Sequence, residues 1–322
     1  MMVPYFDTHC DTIFECVNKG ERLRSNTGHL DLERARANFA PYAQVFAIFS
    51  RPDYSGVTMD STAPDAPADI LYGLYQSIIA RLKEEFEANA DILSLCLSAE
   101  DARKAASENK IAAFISVEGS ELLKCDRNML KEAYGLGVRI VNMCWNFDNK
   151  LCGSSRGAVG GGLSPLGREF VEYADELGVI LDMSHISEAA FWDIAGMTKR
   201  PIIASHSNSK KLCDHPRNLT DEQFKAIVRL GGIAGLNFYT DFLGDSADWG
   251  LAHIEHFLSL GGEKAICIGG DLDGVDSLPE GMSGVQDVGR LYEAMLRHGY
   301  SEDLLRDIFY NNALDCIGRA LS

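Results

Sequence analysis

The 322-residue sequence predicts an α/β fold, a (β/α)8 TIM barrel in one domain spanning residues 1–322. Three observations carry that expectation. Eight short, nearly continuous apolar runs recur along the chain, as expected of parallel strands buried on both faces. Most intervals between them carry amphipathic helical sequence. No G-x-G-x-x-G opens the first helix, so an open dinucleotide-binding sheet loses ground.

In order, the strand candidates are MVPYFD, YAQVFAIFS, IAAFISVEG, VRIVNMCW, GVILDMSH, PIIASHS, GIAGLNFY and AICIGGDLD. Helical patterns fill DILYGLYQSIIARLKEEFEANA, SPLGREFVEYADELG, EAAFWDIAGMT and AHIEHFLSLGG. In TDEQFKAIVRLGG, Thr220 and Gln223 have the spacing of a capping box, and glycines follow the last turn. The closing SEDLLRDIFYNNALDCIGRALS predicts terminal helices packed on the barrel. Two segments predict loops: Ser50 to Asp69, rich in Pro, Asp and Ser, after the second strand, and Asp271 to Val285 after the eighth. VGGGLSP (Val159 to Pro165) follows a loop rather than a strand, so it reads as a flexible active-site loop, not a phosphate cradle.

Composition narrows the function. A formal net charge of −17 disfavours nucleic acid and anionic membranes as partners. The nine cysteines form no C-x-x-C pair, and several sit in apolar runs, so reduced buried thiols are expected. With neither a secretory leader nor a membrane-span pattern, the expectation is a cytoplasmic protein.

Barrel active sites lie at the C-terminal ends of the strands. There the sequence places His9 and Asp11, Glu118, His185, His206, and Asp271 with Asp273, on five different runs. In an extended chain His9 and Asp11 share a face, with Cys10 turned away. A lone histidine after a strand is usually a turn residue, but this many ligand types on one rim point to metal. Nitrogen and carboxylate donors without thiolate suit Zn2+, with Mn2+ or Fe2+ as substitutes. The set is too large for one tetrahedral ion and suits two, bridged by Glu118 and a hydroxide. Such a centre hydrolyses amide bonds. Asp271 would carry the proton to the leaving amine, while Asp273 would shape the loop.

With these residues in place, nearly the whole chain resembles the renal (membrane) dipeptidases, zinc peptidases of the amidohydrolase superfamily. The likeness is strongest in GLSPLGREFV, LDMSHIS, PIIASHSNSKKLCDHPRNLTDEQ, GLNFY and IGGDLDG. It implies a metal-dependent hydrolase barrel with one ion on His9 and Asp11 and another on His185 and His206, bridged by Glu118. It also implies Asp271 as acid–base, Arg217 on the substrate carboxylate, and Tyr239 on the substrate side. The implied substrate is a small dipeptide, with a D-residue tolerated at its C-terminus, and the implied assembly is a homodimer. One departure stands out. Where the family carries a histidine after the fourth strand, this chain has Trp145, followed by the pattern's Asn146. Indole donates one hydrogen bond but cannot become a cation, which bears on substrate choice.

His215 reads as a loop residue near Arg217, and the H-x-x-H of His253 and His256 as part of an outer helix. His29 and His298 read as solvated. Two rival functions are an amidohydrolase for N-acyl amino acids or cyclic amides, and a metal-binding peptide sensor without turnover.

Overall fold

A computed structural model describes residues 2–49, 68–244, 248 and 250–321. Most of the loop expected over Ser50 to Asp69 lies outside the described residues. The strands are β1 (Val3–Cys10), β2 (Phe39–Ile48), β3 (Leu93–Leu95), β4 (Ile111–Val117), β5 (Val138–Asn142), β6 (Ile180–Asp182), β7 (Ile203–Ala204), β8 (Ile233–Leu236) and β9 (Ile266–Ile268). Every pairing between them is parallel. Eight form a closed circuit, β1–β2–β4–β5–β6–β7–β8–β9, completed where Asp7 pairs with Ile268. These eight are the predicted runs. The extra strand, β3, pairs only with the first three residues of β4 and stands outside the circuit.

Inside the barrel, each strand contributes an apolar residue to one cluster: Phe6, Val45, Phe114, Ile140, Ile180, Ile203, Ile233 and Cys267. Helix Asn312–Ala320 joins the same cluster through Leu314 and Ile317. Its Asn312 Nδ2 donates to the Ile266 carbonyl at 2.8 Å, tying it to the start of β9. One end of the barrel is therefore plugged with hydrocarbon. A second, larger cluster fills the layer between barrel and helices. Above the interior cluster the filling turns small and polar. Thr8 Oγ1 lies 2.7 Å from the Ser205 carbonyl oxygen. A Cβ on Gly269 would stand 1.7 Å from that same oxygen, so only glycine lets β9 close here.

The helices follow their sequence signals. Helix Pro165–Leu177 has Ser164 as N-cap and left-handed Gly178 as C-cap. Helix Asp221–Arg229 has both hydrogen bonds of the Thr220–Gln223 capping box. All nine cysteines are free thiols, and all but Cys213 are buried. No described helix is long and apolar enough to cross a membrane.

Candidate metal centre

The polar end of the barrel is built by departures from regular strand geometry. On β1, Asp7 pairs with Gln44 but Cys10 pairs with Phe46, so β1 carries an extra residue. This bulge reverses the alternation. With Phe6 inward, strict period two would turn Cys10 inward and His9 outward. Instead Cys10 joins the outer core and His9 turns into the cluster around Glu118. Asp11 is not extended either: it ends the strand at φ −102°, ψ 15°, as N-cap of helix Thr12–Lys19. His9 and Asp11 do converge and Cys10 does turn away, but the bulge and cap cause it, not strand alternation.

Asp7 fastens the bulge. Its Oδ1 accepts the His9 N–H at 3.1 Å and the Gly270 N–H at 2.9 Å, linking the tips of β1 and β9. Burial pushes this carboxyl up to about 6, against the hydrogen bonds it accepts. His185 and Asp271 lie beyond their strands in left-handed conformations, with φ of 76° and 57°. Such non-glycine residues are uncommon and gather at functional sites. Gly274 completes the tight passage, since a Cβ there would sit 2.2 Å from Asp11 Oδ2 and 2.3 Å from Asp271 Oδ1.

Glu118 Oε1 is the hub. It lies 2.7 Å from His185 Nε2, 3.3 Å from His206 Nε2 and 3.5 Å from His9 Nε2. His9 Nε2 is also 3.8 Å from Asp11 Oδ2 and 3.9 Å from Asp271 Oδ1. All these residues are buried. The residues group into three sets whose ligand atoms lie within 4.8 Å of one another.

Hydrogen bonding fixes which ring nitrogens face the hub. Asn146 Oδ1, an acceptor, lies 2.9 Å from His185 Nδ1, so that nitrogen carries the proton. Ser205 Oγ gives its proton to Asp182 Oδ2, so it accepts from His206 Nδ1 at 2.7 Å. Both Nε2 atoms therefore present lone pairs, 3.0 Å apart and aimed at a carboxylate. Three acceptors so placed repel unless a cation sits among them. Donors about 2.0–2.2 Å from one tetrahedral ion lie roughly 3.3–3.6 Å apart, and the spacings here run from 2.7 to 3.5 Å. His9 Nδ1, His9 Nε2 and Asp11 Oδ1 are buried without hydrogen-bond partners, as atoms awaiting an ion would be. The field agrees. Burial holds His185 and His206 well below the ordinary imidazole value. Burial opposes charge on His9 too, yet Glu118, Asp11 and Asp271 raise it to about 10. The pocket favours positive charge, and the donor set fits divalent metal.

A cavity of about 270 Å³ opens onto this cluster, lined by Asp11, Glu118, Trp145, Asn146, Arg156, His185, Arg217, Tyr239 and Asp271 among others. Every residue expected at the site except His9 and His206 lines it, and those two lie beneath in the metal cluster. Arg217 is buried, and its Nη2 has no partner. Asp271 is held through Oδ2 by Asn237 Nδ2 at 2.8 Å, and burial raises its pKa. Trp145 packs between Phe49 and Phe147, at ring-centroid distances of 5.0 and 5.5 Å, making one wall apolar.

The residues set aside fall elsewhere. His253 is buried, taking the Ser209 N–H on Nδ1 and bonding the Leu243 carbonyl through Nε2, while His256 pairs with Asp221. His215 accepts the Arg217 N–H. His29 is not simply solvated: it is half-buried, and its Nδ1 accepts the Asp273 N–H. Asp273 shapes the loop, accepting from Thr12 Oγ1 and the His29 N–H. The glycine-rich stretch is fastened rather than free, with Val159 N–H on Asp148 and Leu163 N–H on Asp193. Sequence reasoning passed over Arg156, Asn237, Ser205 and Asp182. Of these, Asn237, Ser205 and Asp182 carried a signal, as polar residues inside apolar runs, and Arg156 carried none.

A closed parallel barrel with a buried cluster for one or two metal ions defines a metal-dependent hydrolase of the (β/α)8 type. The membrane dipeptidase model, peptidase family M19, matches residues 1–320. The chain belongs to that family and is a metal-dependent hydrolase of peptide bonds. Among solved structures it is similar to a metallo peptidase from Rhodobacter sphaeroides, liganded with a phosphinate mimic of the dipeptide L-Ala-D-Ala. The two share 27% identity at a TM-score of 0.89, covering 99% of this chain and 100% of the other. The dipeptidase AC, a metallo peptidase of family M19, is 28% identical at a TM-score of 0.89, covering 100% of this chain and 99% of its own. An uncharacterised protein in the pqqA 5' region of Klebsiella pneumoniae is 32% identical over 267 residues, 79% of this chain and 97% of that one.

Proposed function

We propose that the protein is a dipeptidase that cleaves free dipeptides with two zinc ions bridged by Glu118. One observation carries the reading. Three buried imidazole Nε2 atoms face a single carboxylate oxygen, and a buried arginine with a free Nη2 looks into the same small cavity. His9 and Asp11 would hold one ion, and His185 and His206 the other. Bound there, such a pair supplies Lewis acidity toward the scissile carbonyl and a water acidic enough to attack near neutral pH.

The chain's own groups do the rest. Arg217 takes the substrate's terminal carboxylate, a pairing that guanidinium geometry favours. Asp271, fixed through Oδ2 by Asn237, leaves Oδ1 toward the cluster. There it takes the proton from the attacking water and returns it to the leaving amine. Its raised pKa suits a group that must hold that proton. Trp145 and Tyr239 flank the substrate. Asn146 lines the cavity but commits its carbonyl oxygen to His185. The cavity is near the low end of the roughly 300–1,000 Å³ range for ligand pockets, which favours two residues over a longer peptide. The proposal includes a D-residue at the C-terminal position. Likeness to the Rhodobacter sphaeroides peptidase liganded with an L-Ala-D-Ala mimic supports it. A cytoplasmic location fits the free thiols.

The test is metal content by mass spectrometry, paired with turnover on free dipeptides and N-acyl amino acids. Two zinc ions with dipeptide hydrolysis is the expected result. Turnover of N-acyl amino acids alone would move the protein to another amidohydrolase activity. Two bound ions without turnover of either class would make it a binding protein.

A further inference from the structure

We propose that Arg156 forms a second anion subsite at the cavity mouth, selecting dipeptides whose C-terminal residue carries an acidic side chain. The inference rests on the dipeptidase reading above and narrows its substrate class. Arg217 and Arg156 both line the cavity, but they differ in setting. Arg217 is buried and suits an invariant group, the α-carboxylate. Arg156 is exposed at the rim, where a substrate side chain would lie.

The rim is built to present it. Ser155 N–H donates to the His185 carbonyl at 2.7 Å, and Ser154 Oγ lies 2.8 Å from the Trp145 carbonyl oxygen and 3.1 Å from that of His185. The loop thus hangs from the backbone of a metal-cluster residue. Asp148 clamps it from inside, accepting the Ser154 N–H at 2.7 Å and the Val159 N–H at 2.9 Å. A Cβ on Gly157 would lie 1.8 Å from Asp148 Oδ1, so the chain wraps the carboxylate closely just after Arg156.

The guanidinium is also uncommitted. Among the described residues no carboxylate forms an ion pair with Arg156, although the chain's net charge is −17. Asp276 lines the same mouth without pairing to it. A cation at the mouth, beyond the one the α-carboxylate needs, calls for a second negative group on the substrate.

The experiment compares kcat/KM for L-Ala-D-Glu and L-Ala-D-Gln, and for the corresponding L,L pairs, with zinc-loaded protein. The expected preference for the acid over its neutral isostere is about tenfold, the size of one charge-assisted hydrogen bond at a wet site. In Arg156→Met that ratio falls to about one, in Arg156→Lys it is partly kept, and in Arg156→Glu it inverts. The preference also shrinks as salt rises. A wild-type ratio near one overturns the proposal, as does a preference that survives in both Arg156→Met and Arg156→Glu. Either result leaves the dipeptidase reading standing if neutral dipeptides are cleaved. Failure to cleave any dipeptide ends both.

Discussion

Replacing Asn146 with alanine should weaken the metal site on His185 more than the site on His9 and Asp11. The structure gives the reason. The Asn146 carbonyl oxygen, 2.9 Å from His185 Nδ1, keeps the proton on that nitrogen and the lone pair on Nε2. Without it, the imidazole can move its proton to Nε2, which lies 2.7 Å from Glu118 Oε1. That places a good hydrogen bond where an ion would bind, and the proton competes with the metal. Loss of such an orienting partner typically costs about 10–100-fold in metal affinity, or roughly 1.4–2.7 kcal/mol. His9 and Asp11 make no hydrogen bond to Asn146, so their ion should feel the change only through the shared Glu118 and lose less affinity than the ion on His185. Zinc competition against a chromophoric chelator resolves the two affinities. Unchanged zinc binding with a raised KM would refute the reasoning and make Asn146 a substrate contact. Equal weakening of both ions would refute it differently, by showing that the centre does not divide as assigned.

Asp271→Asn should lower kcat by about 10²–10⁴-fold, the usual contribution of a positioned acid–base, with zinc content kept at the wild-type level. Loss of metal along with activity would assign Asp271 to ion binding. Arg217→Met should cost about 10²-fold in kcat/KM on free dipeptides, as for a lost hydrogen bond between charged groups, and far less on C-terminal amides. An equal loss on both would show that Arg217 does not read the carboxylate. His253 gives a pH signature, because burial holds it neutral in the fold. The unfolded chain gains a proton there below about pH 6.5, so stability falls as pH falls through that value. In urea titrations of zinc-loaded protein from pH 7.5 to 5.5, His253→Asn should flatten this decline by up to about 1.4 kcal/mol per pH unit. A slope equal to wild type would mean that His253 can bind its proton in the fold.

The barrel was legible because hydrophobicity at eight places was too continuous for one-sided strands, and because the Thr220–Gln223 capping box carries its own hydrogen-bond logic. β3 escaped because three residues, LSL, show no period. Strand ends were read too long. PIIASHS is ladder only at Ile203–Ala204, since the polar residues beyond leave the sheet to line the cavity. The metal residues were visible by type and position, whereas their aim was not. The bulge before Cys10 and the left-handed turns at His185 and Asp271 depend on partners far along the chain, such as Gly270 on Asp7. Arg156 had no local mark at all, because its place at the mouth follows from Asp148 and the His185 backbone.

The most direct measurement is anomalous diffraction at the zinc edge from crystals of the zinc-loaded protein. The account expects two peaks about 3.5–4 Å apart, one beside His9 and Asp11, the other beside His185 and His206, with Glu118 between them. A vacant cluster at saturating zinc, or a single peak away from Glu118, would contradict it.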